Sequence, residues 1–61
     1  MDRSVKTGDR VLFRIGPNQV EGIVRRILAD NKGEIILELE HINVDGSTTM
    51  MWRHLNKIIF V

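Results

Sequence analysis

Trp52, Arg53 and His54 stand in a row near the end of the chain, after Met50 and Met51 and before Leu55. A guanidinium presents a rigid fork of donors that matches phosphate. An imidazole next to it can hydrogen-bond a base or a ribose. The indole could stack on a base, though a tryptophan beside two methionines more readily fills a core or a subunit interface. Phosphate and base recognition is the chemistry that Arg53 and His54 could do, and a solvated corner between two strands is the plainer alternative. Catalysis has less to stand on. No Ser-His-Asp set is evident, no phosphate-cradling glycine loop precedes a helix, and so short a chain leaves scant room for a pocket. His54 and Glu34 form an imaginable acid–base pair, but nothing in the sequence brings them together. There are no cysteines, and His41 and His54 lack a second ligand at a usual metal spacing. The expectation is a protein that is not an enzyme and holds neither metal nor cofactor.

The charges point the same way. The net charge is +1, which is not strongly basic, yet six of the nine cations are arginine. Glu34, Glu38 and Glu40 cluster apart from them, so one face can be basic and another acidic. Arg25 and Arg26 are neighbours on one stretch and should point to opposite sides if extended. One of them could join Arg10 or Arg14 in a basic patch. Pairing with the glutamates across adjacent strands is the favoured alternative.

These groups need a scaffold, and the alternation of residues supplies one. Sixty-one residues make one domain. Residues 1–7 are polar and read as a loose N-terminal segment, with Val5 touching the core, and residues 8–61 read as the domain. Val11, Phe13 and Ile15 alternate with Arg10, Leu12 and Arg14, the period of a half-buried strand. Gly16-Pro17-Asn18 ends it. "QVEGIVRRIL" is a second strand, in which Gly22 suggests a bulge. "EIILELE" is a third, with Ile35, Leu37 and Leu39 on one face. Asp45-Gly46 marks a hairpin, and "TTMMW" is a fourth strand. Arg53 to Asn56 forms a corner with room for one 3₁₀ turn, and "KIIFV" is a fifth strand. Five short strands without a credible helix predict an all-β fold, a small five-stranded barrel.

Two resemblances fit this outline. "VLFRIGPNQVEGIVRRILADNKGEIIL" followed by "MMWRHLNKIIF" resembles the two motifs of the Sm and Hfq family of RNA-binding barrels. Trp52-Arg53-His54 then lies where that family carries its aromatic and basic pair. The likeness implies a homo-oligomer, possible as a ring, that binds single-stranded RNA through Arg53 and His54. By equal spacing from Asp30, the family's stacking and base-reading positions hold Gly33 and Glu34, so Asn31 and Lys32 are the turn residues left to assist. "KTGDRVLFRIG" with "EGIVRRI" is similar to KOW-type and other SH3-like small barrels, which implies a protein-interaction module instead.

The last two strands are apolar on both faces, which a lone small barrel does not require. With 43% hydrophobic residues in so short a chain, this predicts self-association through Met50, Met51, Trp52, Ile59 and Val61. No apolar run approaches membrane-spanning length and no signal peptide is evident, so no membrane partner is expected and the expected compartment is cytoplasmic.

Overall fold

The computed structural model describes residues 5–59. Four strands follow one another: β1 Arg10–Ile15, β2 Asn18–Ala29, β3 Ile35–Ile42 and β4 Thr48–His54. A 3₁₀ turn, Leu55–Lys57, comes next. The strands form one antiparallel sheet in the order β1-β2-β3-β4. The architecture is all-β, with no α-helix among the described residues. Among the described residues the strands make one open four-stranded sheet, and the fifth strand of the expected barrel is represented only by its first residues. β4 runs directly into the 3₁₀ turn, so only Ile58 and Ile59 of the described chain remain to lie along β1. They make a single bridge there. Ile59 N–H donates to the Leu12 carbonyl at 2.8 Å, and Leu12 N–H donates to the Ile59 carbonyl at 3.1 Å. Phe60 and Val61, also assigned to a fifth strand, lie outside the described residues.

Strand alternation decides what is buried. The inner face contributes Val11 and Phe13 of β1, Val24 of β2, and Leu37 and Leu39 of β3, and Ile58 joins them. Val5, Ile15, Val20, Met51 and Leu55 pack against this cluster. Ile35 shares the face of Leu37 and Leu39 but stays 39% exposed because it sits where β3 begins. The glycine of β2 is there for close packing. A Cβ on Gly22 would stand 2.6 Å from Phe13 Cε1 and 3.4 Å from the Glu40 carbonyl oxygen. The bulge expected at Gly22 falls later instead, between Val24 and Arg26.

That shift corrects the reading of the twin arginines. The extra residue at the bulge turns both side chains to the outer face, where Arg26 pairs with Glu38 at 3.1 Å and Arg25 Nε donates to Glu40 at 2.6 Å. The same face carries two cross-strand rows, Arg26–Glu38–Trp52 and Leu28–Ile36–His54. The β1–β2 hairpin closes through Gly16 at φ +59° followed by Pro17, with Ile15 paired to Asn18. A positive φ followed by proline's fixed negative one is the sign pattern of a type II′ turn, whose twist suits a hairpin.

Candidate nucleic-acid interface

Arg53 and His54 are consecutive on β4, so they leave the sheet on opposite faces. Arg53 lies opposite Leu37 and His54 opposite Ile36. The Arg53 guanidinium turns across the mouth of the open sheet. Its Nη1 donates to the Trp52 carbonyl at 2.8 Å, and its Nη2 and Nε reach the Arg14 carbonyl at 3.2 and 3.4 Å. Its central carbon stands 5.6 Å from the centre of the Phe13 ring, within cation–π range. Arg53 thus bridges the two edge strands, β1 and β4, above the core. It does with a side chain what a closed barrel does with a backbone ladder.

The clasp leaves N–H donors of the guanidinium spare, and they are in cationic company. Arg14, Arg53, Asn56, Lys57 and Ile59 line a groove of ≈ 500 Å³. Three cations and an amide meet there, with no carboxylate in the lining among the described residues. Arg14, Arg53 and Lys57 also make no ion pair among the described residues, whereas Arg25 and Arg26 are held by glutamates. Chemically the groove can take an anion with several oxygens. Of the expected ligand-binding residues it contains only Arg53. Arg14 was expected only in a patch with Arg25 or Arg26, and the groove brings it instead to Asn56 and Lys57, which come from the 3₁₀ turn and were not singled out. The signal available was the pair Asn56-Lys57 where the corner ends.

His54, Asn31 and Lys32 belong to a second place. The turn between β2 and β3 is tied by Asp30, whose Oδ1 accepts the N–H groups of Lys32 and Glu34, each at 2.8 Å. Asp30 N–H in turn donates to the Glu34 carbonyl at 2.9 Å. The Glu34 N–H, then burial against it, then the Lys32 N–H and the nearby imidazole of His54 act on the Asp30 carboxyl, and the net effect holds it below the usual carboxylate range. His54 Nε2 lies 3.7 Å from Asp30 Oδ2. A cleft of ≈ 330 Å³ opens here between Glu34, Ile35, His54, Leu55 and Asn56. Asn31 and Lys32 are exposed on the turn. His54 and Glu34, which sequence alone could not bring together, are neighbours, and Asn56 lines both clefts.

The expected interface residues divide by face. Trp52 is 53% exposed and Met50 is 40% exposed, both on the outer face. Met51 is half-buried against the chain's own core. Ile59 is 37% exposed, and Val61 is outside the described residues. Trp52 is therefore not a core residue. No helix among the described residues is long and apolar enough to cross a membrane. Compared with protein-family models, with curated proteins and with solved structures, the chain matches none.

Proposed function

We propose that this chain is a non-enzymatic domain that binds the phosphate backbone of single-stranded nucleic acid, RNA foremost, in the groove of Arg14, Arg53, Asn56 and Lys57. The observation that carries the reading is the gathering of three cations on a groove where, among the described residues, they meet no carboxylate. A near-neutral chain binds a polyanion through such a local patch and not through its net charge. We further infer that the fold is a small barrel of the Sm and SH3-like kind, with Ile58 and Ile59 beginning its fifth strand along β1. It self-associates, so that several grooves act on one strand. The bridge from Ile59 to Leu12 and the exposed outer face support these two readings.

Fluorescence anisotropy with a labelled single-stranded RNA of mixed sequence tests the binding. Affinity should fall with salt, and each of Arg14→Ala and Lys57→Ala should flatten the log–log slope by about 0.7 per bound chain. Absence of binding by the unsubstituted protein at low salt would end the proposal. Specific recovery of a protein partner, lost on Ile36→Lys while RNA binding is nil, would favour the interaction-module reading.

A further inference from the structure

We propose that Asp30, Glu34 and His54 form a binding site for a divalent transition-metal cation of the zinc type. The site stands apart from the basic groove and does not depend on how that groove is used.

The three side chains come from two segments far apart in sequence, the β2–β3 turn and the last residue of β4. Each offers one ligand atom, and these atoms lie within 4.8 Å of one another. The separation of His54 Nε2 and Asp30 Oδ2, 3.7 Å, is too long for a hydrogen bond. It is close to the edge of a zinc coordination tetrahedron, about 3.3 Å for bonds of about 2.0 Å. A slight rotation of the exposed His54 and Glu34 side chains closes the remainder. Asp30 divides its labour between two oxygens. Oδ1 is taken by the backbone of the turn, which aims Oδ2 at the imidazole. Among the described residues the Glu34 carboxylate makes no ion pair. Two carboxylates facing one imidazole leave a local excess of negative charge that a dication neutralises.

The cleft between Glu34, Ile35, His54, Leu55 and Asn56 opens on this triad. Three protein ligands beside open space leave a coordination position for water or an anion, as in sites that are not purely structural. The imidazole selects the metal class. Zinc and its transition-metal neighbours accept mixed nitrogen and oxygen donors, whereas magnesium and calcium prefer oxygen throughout. His41 belongs to no such group of ligand atoms among the described residues; its Nδ1 lies 2.9 Å from the Glu21 carbonyl and its ring packs edge-on against Phe13.

Calorimetric titration of the tag-free full chain with zinc chloride near neutral pH, with magnesium chloride as control, tests the site. One zinc should bind per chain, and magnesium should not replace it. His54→Ala should weaken zinc binding at least about tenfold. Asp30→Asn should do the same and still fold, because the amide oxygen accepts the two turn N–H groups; without metal it should lose only the stability that the ionised carboxyl adds. Imidazole resonances of His54 should move on titration while those of His41 stay in place. Zinc uptake that is absent from the unsubstituted chain, unchanged in His54→Ala, matched by magnesium, or reported by His41 would overturn the proposal.

Discussion

Arg53 is bound to the fold and still lines an open groove. Its fork holds the Trp52 and Arg14 carbonyls and lies over Phe13, so its first duty is to tie β4 to β1. Removing it should cost stability before it costs binding. Charged hydrogen bonds of this type contribute about 1.5–3 kcal/mol when buried. Arg53 is only half-buried, so Arg53→Ala should lose about 1–2 kcal/mol in urea unfolding. Arg53→Lys should recover little, since an ammonium lacks the planar fork. Equal stability of Arg53→Ala and the unsubstituted chain would rule out the clasp. For the same reason Arg14 and Lys57 are the cleaner probes of anion binding. Gly22 is the second residue on which packing turns. Gly22→Ala pushes a methyl against the fully buried ring of Phe13, and overpacking of this kind costs about 1–3 kcal/mol. A denaturation midpoint at or above that of the unsubstituted chain would show that the ring yields.

At the scale of elements, the turns are where charge meets backbone. Asp30 accepts two N–H groups of the β2–β3 turn. Asp45 accepts the Ser47 hydroxyl at 2.6 Å and the Ser47 N–H at 3.0 Å in the turn from Asn43 to Ser47. The Ser47 hydroxyl, then its N–H, hold the Asp45 carboxyl below the usual range, as happens at Asp30. Folded carboxyls with lowered pKa bind fewer protons than unfolded ones. Their contribution is complete above the unfolded value, near 3.8, and is lost as pH falls through the lower folded value. Thermal melts followed by circular dichroism should show the midpoint dropping below about pH 4. The double variant Asp30→Asn, Asp45→Asn should be less sensitive there, and an identical acid slope would remove both turns from the account. These elements were largely legible in the sequence. Period-two alternation marked β1 and β3, and Asp45-Gly46 marked the turn that leads into β4. What stayed hidden was set by register. The bulge after Val24 could not be placed from Gly22, and it decides that Arg25 and Arg26 share a face. Arg53 and His54, adjacent in sequence, serve different clefts because a strand sends neighbours to opposite sides. Asp30, Glu34 and His54 meet only because β3 folds back on β4, and no spacing along the chain encodes that.

For the whole molecule, the question is what so small a core can support. Among the described residues only Val11, Phe13, Val24, Leu37, Leu39 and Ile58 are buried hydrophobics. A side chain of this size contributes about 1.5–3 kcal/mol when fully buried, and a domain this short has little surplus over its conformational entropy. Meanwhile Leu28, Ile36, Met50 and Trp52 lie on the outer face of β2, β3 and β4, and three of them are a third to a half exposed. The Arg26–Glu38 and Arg25–Glu40 pairs run between them, so the surface is apolar with its charges already neutralised in pairs. Such a face loses little on being covered, since paired charges expose less to desolvate than free ones. A second copy of the same face adds apolar contact without setting unpaired like charges together, which supports self-association as the way the molecule makes up for its slight core. Trp52 is the chain's one tryptophan, and it sits in the middle of the face, so its fluorescence reports directly. Dilution should move its emission to the red as the assembly dissociates, in step with a fall in mass by light scattering. Ile36→Lys, which plants a charge beside Leu28 and His54, should hold the emission red and the mass monomeric at every concentration. An emission maximum and a mass that stay constant across the dilution series, with the unsubstituted chain monomeric throughout, would leave the outer face bare and the core sufficient on its own.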